Sequence, residues 1–239
     1  MASSDPKAFW EARIESWDAS RHEGKKNALS FLHWATKNPD ESVHFRNQVV
    51  LEHITPHIQG KRVVELGCGT GRMALELMER GAGSYCGYDF TPSGIRIAQK
   101  RIEKIERNDL RNSIHFELAD IATLQKIEAD FVFSMGLFYW IPPPLIDHVF
   151  SISQGIDFLH NFSEKIFNPR QVLKFLFARS FYRNLKDHKS SSRKIEIIAN
   201  IPKQYGFQNV HCLRHQKLYD AVCISSKVFP ETLGPSITF

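Results

Sequence analysis

One stretch limits what this chain can become: Val63-Val64-Glu65-Leu66-Gly67-Cys68-Gly69-Thr70-Gly71-Arg72. An apolar run of strand character enters Gly-x-Gly-x-Gly, and helical periodicity follows at once over Thr70–Arg80. Glycines at such a junction let the backbone turn sharply, and they let a ligand lie against the main chain without meeting a Cβ. The spacing matters. Pyrophosphate sites favour Gly-x-Gly-x-x-Gly, with the anion on the helix N-terminus. Here the third glycine comes one residue early, and Glu65 stands just before the loop. An acid there suits a cationic or amine-bearing ligand better than a phosphate. An ordinary strand-to-helix turn is the plain alternative.

The surroundings favour a ligand site. Runs of strand character at Arg62–Leu66, Ser84–Tyr88, Ser113–Leu118, Ala129–Met135 and Gly155–His160 alternate with helical runs at Thr70–Arg80, Pro92–Arg107 and Pro142–Ser151. That alternation predicts a parallel sheet with right-handed crossovers. The first sixty residues read as helical: Phe9, Trp10, Ile14 and Trp17 in one stretch, Leu29, Phe31, Leu32 and Trp34 in a second, and Ser42–His57 in a third that Gly60 closes. A basic helix is expected at Pro169–Leu185, before a polar linker through Ser190-Ser191-Ser192. Gly206–Leu213 and Leu218–Ser225 predict an antiparallel hairpin. The expected organisation is a helical cap over residues 1–59 and an α/β domain over 60–239, together one compact unit.

Composition narrows the classes further. No run of about 18 uncharged apolar residues occurs, and Met1 to Asp5 lack the pattern of a secretory leader. Cys68, Cys86, Cys212 and Cys223 lie far apart with no metal-ligand spacing, so reduced thiols in the cytoplasm and no metal are expected. A net charge of +5 permits an acidic partner without arguing for one.

Two more acids sit where strands end. Asp89 closes the second, where a carboxylate can accept from both hydroxyls of a ribose. Asp120, in Glu117-Leu118-Ala119-Asp120-Ile121, follows the third, where it can accept from an exocyclic amine such as adenine N6. Singly, each reads equally well as a helix N-cap, Asp89 lying shortly before Pro92. Three acids at three successive strand ends around a glycine loop describe a pocket for an amine-bearing nucleoside.

Glu65 to Gly71, Tyr88-Asp89, Ala119-Asp120 and the hairpin after Tyr205-Gly206-Phe207 resemble class I S-adenosylmethionine-dependent methyltransferases. The resemblance covers about residues 60–227. It implies a Rossmann-like α/β fold: a seven-stranded, mostly parallel sheet with an antiparallel last strand, helices on both faces and N-terminal helices over the cofactor. It also implies S-adenosyl-L-methionine as cofactor and S-adenosyl-L-homocysteine as product. The backbone of Gly67 and Gly69 would lie against the methionine moiety, Asp89 on the ribose, and Asp120 and Ile121 on the adenine. Glu65, Cys68, Gly71, Phe90 and Met135 would complete the cofactor wall. Arg46, with Trp17 nearby on the cap, would meet the methionine carboxylate.

Methyl transfer asks the protein mainly to position a nucleophile and to take its proton. The fourth strand lacks the Asn/Asp-Pro-Pro-Tyr element used on base amines, and Phe138, Tyr139 and Trp140 read equally as an acceptor wall or as core. The fifth strand ends at His160, placed for a general base, with Glu164 near enough in sequence to orient it; Tyr139 is the other candidate. Each of them reads equally as a structural residue. The expected acceptor is a small molecule, sugar-like or a secondary metabolite, methylated at oxygen or nitrogen. The rivals are an RNA acceptor held by the basic stretch 179–194, a non-catalytic cofactor-binding subunit, and a nicotinamide-dependent oxidoreductase.

Overall fold

A computed structural model describes residues 5–22, 39–164, 194–218 and 221–239. The expected helices around Leu29–Trp34 and Pro169–Leu185, and the basic residues Arg179, Arg183, Lys186, Lys189 and Arg193, lie outside them.

Eight strands form one sheet in the order β3-β2-β1-β4-β5-β7-β6-β8. β1 (Arg62–Leu66), β2 (Ser84–Asp89), β3 (Ile114–Leu118), β4 (Phe131–Ser134) and β5 (Asp157–Ser163) run parallel. β7 (Ala221–Ser225) is antiparallel to both β5 and β6 (His211–Arg214), as the tail hairpin predicted. The strand beyond the expected seven is β8 (Ser236–Thr238), antiparallel to β6 at the edge.

Alternation along each strand sorts the core into two layers. Val63, Phe131, Phe133, Leu159 and Cys223 face one side, where they meet α3 (Pro39–Ile54) through Val49, Val50 and Ile54, and α4 (Met73–Glu79) through Met73 and Leu77. α5 (Pro92–Ile102) packs there too, through Ile95 and Ala98, as does α6 (Asn108–Asn112) through Leu110. Val64, Leu66, Val132, Phe158 and Phe162 face the other side, against α7 (Pro143–Ile152) and α8 (Ile195–Lys203). Buried Ile195, Ile198, Ala199 and Ile201 give α8 its apolar stripe, a helical spacing that β-branched composition hides in the sequence.

Several boundaries move. The first N-terminal stretch breaks at Ala12-Arg13 into α1 (Pro6–Glu11), capped by Asp5 on the Lys7 amide, and α2 (Ile14–His22). The helix after the glycine loop begins at Met73 rather than Thr70, because Gly71 takes φ +69° and cannot belong to a right-handed helix. Pro92–Arg107 ends at Ile102, and a separate short α6 follows.

Candidate functional site

The C-terminal ends of the parallel strands form the rim where an open α/β sheet binds its ligand. At the centre lies the glycine loop, with Gly67, Gly69 and Gly71 all at positive φ. Its amides are already committed. Gly67 and Cys68 donate to the Tyr88 carbonyl at 2.8 and 3.0 Å, Gly71 donates to the Cys68 carbonyl at 2.9 Å, and Gly69 donates to Asp89 Oδ2 at 2.9 Å. A pyrophosphate cradle needs such N–H groups pointing outward. This loop presents bare glycine surface flanked by acids, which fits a cationic nucleoside and not a dinucleotide.

Asp89 is buried and pins the loop. Besides Gly69, it accepts from the Thr91 amide at 2.9 Å and the Thr91 hydroxyl at 2.6 Å. The N-cap of α5 is Thr91 and not Asp89; the carboxylate orders the turn one step earlier, and with three donors on roughly four lone-pair sites it keeps acceptor capacity for a hydroxyl. Asp120 is exposed, and its Oδ1 accepts from the Ala122 amide at 2.9 Å, capping the short turn Ile121–Thr123 and leaving Oδ2 outward. Ile121 is buried beneath it, and Phe90 is half-buried after β2. Met135 and Gly136 follow β4; a Cβ on Gly136 would stand 3.4 Å from Arg46 Nη1, so α3 brings this guanidinium to the rim.

Two expected cofactor side chains do not reach the open face. Cys68 turns inward, its sulfur occupying the space that a Cβ on Gly87 would need. Glu65 is enclosed beneath the loop, where the Tyr85 hydroxyl donates to its Oε2. Burial raises the Glu65 carboxyl to about 8, against the pull of the Tyr85 bond and with nearby Asp89 adding to the rise. Both residues support the loop from below, because strand alternation puts Glu65 on the inner face with Val63.

The catalytic expectations change more. His160 is fully buried: its Nδ1 pairs with Ser134 Oγ at 2.9 Å, its ring stacks on Phe138 at 4.6 Å, and Nε2 has no partner. Burial pushes its imidazole down to about 3. A ring so enclosed does not reach the open face, so the expected base role finds no support in the geometry; the bond to Ser134 ties the end of β4 to the middle of β5. Nor does Glu164 orient it. Four residues of strand separate them by about 13 Å, and the buried Glu164 carboxylate receives Arg214, through Nε at 2.8 Å and through Nη2. Tyr139 stays half-buried at the end of the turn Leu137–Tyr139, beside the rim.

These shifts give stability a pH dependence. His53 is also buried, and burial, with lesser repulsion from His57 and His211, takes it to about 3 against an ordinary 6.5. Below pH 6.5 the unfolded chain protonates imidazoles that the fold disfavours as cations, His53 and His160 most strongly and His57 and His211 in the same direction, while the fold retains on Glu65 one proton that the unfolded chain loses above 4.5. The imidazoles outweigh the carboxyl, so stability rises with pH up to about 6.5; above that the Glu65 proton makes it fall toward pH 8. Urea unfolding should find a maximum near pH 6.5, about 1–2 kcal/mol lower at pH 5 and about 1 kcal/mol lower at pH 8. Stability that climbs steadily through pH 8 contradicts this assignment.

The N-terminal helices bring in residues that no spacing in the sequence pointed to. Asp18 of α2 accepts from Arg72 Nε and Nη2, both at 2.6 Å, from Arg101 Nη2 at 2.8 Å and from the Thr70 hydroxyl at 2.7 Å. Burial alone would raise this carboxyl, but the bonds from Arg72, Thr70 and Arg101 outweigh it and hold it at about 2. Glu11 accepts from the amide and hydroxyl of Ser93, at the start of α5. Trp10 lies edge-on to Trp140 at 5.0 Å and to Trp17 at 6.0 Å, and Phe9 stacks on Trp140 at 6.4 Å. Trp17 thus packs on Trp10 within this aromatic group. Among the described residues, no group of three His, Cys, Asp or Glu is arranged to hold a metal ion, and no helix is long and apolar enough to cross a membrane.

Known proteins share part of this sequence and its fold. Residues 63–153 match the family described as "Methyltransferase domain". A tRNA U34 carboxymethyltransferase from Ectopseudomonas mendocina (strain ymp) is 26% identical over 214 residues, covering 82% of this chain and 62% of that protein. The magnesium-protoporphyrin O-methyltransferase of Rhodobacter capsulatus is 33% identical over 98 residues, 41% of this chain and 42% of the relative. The chain spans about half the length of the curated relatives it matches. The magnesium protoporphyrin IX methyltransferase of Synechocystis PCC 6803, solved with bound SAH, superposes with a TM-score of 0.65 over 92% of this chain and 96% of that one. At 16% identity this last likeness speaks for the fold alone. From β1 through α7 the chain matches a methyltransferase domain, and its sheet has the fold of that solved methyltransferase.

Proposed function

We propose that this chain transfers a methyl group from S-adenosylmethionine to oxygen or nitrogen of a small-molecule acceptor. The observation that carries the reading is the glycine loop, whose glycine amides are spent internally while Asp89 and Asp120 stand at the ends of β2 and β3. When bound, the cofactor supplies an electrophilic methyl carbon on a sulfonium; everything else falls to the chain. Asp89 holds the ribose hydroxyls, Asp120 Oδ2 accepts from the adenine amine over Ile121, Gly67 and Gly69 admit the methionine moiety, and Arg46 pairs with its carboxylate. Phe90 and Met135 line the flanks, and α1 and α2 cover the site. The acceptor enters over the loop after β4, beside Tyr139 and Trp140, where an aromatic wall suits a compact ligand. With His160 enclosed, the work at the acceptor is orientation. Four unpaired thiols suit the reducing cytoplasm.

Relatives named as tRNA U34 carboxymethyltransferases support a second reading, with RNA as acceptor. The basic stretch 179–194 would then be the contact.

Calorimetry with S-adenosylmethionine and S-adenosylhomocysteine tests the cofactor site, with micromolar binding expected and its absence overturning the proposal. Transfer of labelled methyl groups to metabolite fractions and to total tRNA at low salt then separates the acceptors. Label in the metabolite fractions is the expected result, and label in tRNA alone would replace the small-molecule reading with the second.

A further inference from the structure

His160 and Asn161 are neighbours on β5 and therefore point to opposite faces of the sheet. His160 turns toward Phe138, Phe150 and Phe158, in the layer covered by α7 and α8. Asn161 turns the other way, with Leu159 of its own strand and Cys223 directly opposite on β7, into the layer covered by α3. Ser134 is the last residue of β4 and pairs with His160. Asn161 is thus the first residue of β5 to lie beyond β4, beside Met135 and Gly136. Met135 and Tyr139 pack against the same layer, and Arg46 Nη1 stands 3.4 Å from where a Cβ on Gly136 would lie. The charge of Arg46 also reaches Cys223. A step of one residue along β5 therefore leads from the aromatic core to a group shared with Arg46, Met135 and Tyr139.

Asn161 is fully buried, and its Oδ1 has no partner among the described residues. Its Nδ2 reaches only the Cys223 sulfur, a weak acceptor, at 4.0 Å. Burial pushes that thiol up to about 12, with Arg46 pulling the other way, so the neighbour is neutral. A buried amide oxygen without a donor destabilises a fold, and native proteins hold few of them. Leucine has nearly the same shape and would remove that cost. The position thus keeps a polar group against its own stability, as functional positions do. An amide oxygen accepts and does not donate, so its complement is an N–H or an O–H. The half-buried side chains of Arg46 and Met135 beside it are unbranched and can swing aside.

We propose that Asn161 orients the methyl acceptor, its Oδ1 taking a hydrogen bond from the N–H or O–H group that is to be methylated. This rests on the small-molecule methyltransferase reading above. Arg46, drawn onto the methionine carboxylate, opens the way to Oδ1. The bond holds the acceptor atom by its hydrogen and leaves a lone pair facing the methyl carbon. That lone pair forms the new N–C or O–C bond as the C–S bond breaks, whose electron pair stays on sulfur. The acceptor's proton passes to water, since an amide takes none. The acceptor class narrows accordingly to amines and hydroxyl compounds that carry a hydrogen on the reacting atom; tertiary amines and thioethers are excluded.

Asn161→Leu in the full chain tests this through two readouts that should move in opposite directions. Its thermal midpoint should rise by about 2–4 °C, because a buried unpaired oxygen is gone. Its transfer of labelled methyl groups from S-adenosylmethionine to metabolite fractions should fall at least about 100-fold. Its affinity for S-adenosylhomocysteine in calorimetry should stay within about twofold, since the cofactor does not touch this side chain. Asn161→Asp keeps an oxygen in the same place and should retain at least about a tenth of the transfer. If Asn161→Leu does not fold, Asn161→Ala, which adds no bulk, should show the same loss of transfer. Transfer at the unaltered rate by a folded variant overturns the role of Asn161 and leaves the methyltransferase reading standing. A lowered midpoint together with weakened S-adenosylhomocysteine binding would mark a structural residue and overturns the role as well. An unaltered chain that labels no metabolite fraction overturns both.

Discussion

Gly71→Ala should lower the thermal midpoint by about 10 °C, corresponding to a loss of about 3–5 kcal/mol. Two costs add at this position. The backbone holds φ +69°, where a side chain costs about 1 kcal/mol or more. A Cβ there would also lie 2.3 Å from Phe116 Cζ on β3 and 2.9 Å from the Ala98 Cβ on α5. Both neighbours belong to the buried core, so relief would require β3 and α5 to move apart. Gly60→Ala is the control. It has φ +67° but nothing within 4 Å of its Cβ, and should lose only about 1 kcal/mol. Equal losses at the two sites would show that the dihedral, and not the close approach, makes Gly71 necessary.

Asp89→Ala should weaken S-adenosylmethionine binding by at least about 100-fold, roughly 3 kcal/mol, in calorimetric titration. The substitution removes the carboxylate proposed to accept from the ribose. It also frees the Gly69 amide and both donors of Thr91, so the loop and the start of α5 lose their shared anchor. Asp89→Asn separates the two contributions. Its remaining oxygen still accepts from one partner, so the turn should stay partly ordered while the ligand loses the carboxylate; an intermediate loss, about tenfold, is expected. Full affinity in Asp89→Ala would remove this residue from the site and move the ribose elsewhere along the rim.

The sheet was legible because strand and helix signals alternate over Arg62–His160 and because a glycine loop follows an apolar strand only in a few folds. β8 escaped notice: three residues carry too little periodicity, and their place depends on pairing with His211–Leu213. The rim acids Asp89 and Asp120 were legible for the same reason as the strands, since each marks a strand end. The alternative reading of each as a cap holds for Asp120, which caps the short turn Ile121–Thr123, but not for Asp89, because Thr91 takes the N-cap before Pro92. His160 was harder. Its place on the fifth strand is open to sequence reasoning, but whether a ring is covered depends on Phe138 and Phe150, which close on it from other segments. Asp18, Arg72 and Arg101 are drawn together across the fold, and no local pattern announces a contact between residues so far apart in the chain.

The aromatic group of the N-terminal helices has a use that its packing alone does not suggest. Trp10 stands nearly perpendicular to both Trp17 and Trp140, at 6.0 and 5.0 Å between ring centres. Indoles this close exchange excitation energy, and their coupled transitions produce a paired positive and negative band in ultraviolet circular dichroism. The sign and size of that couplet depend on the angle between the rings, two of them on the N-terminal helices and one on the loop after β4. The protein thus carries its own optical gauge of that juncture, readable without dye, label or substitution.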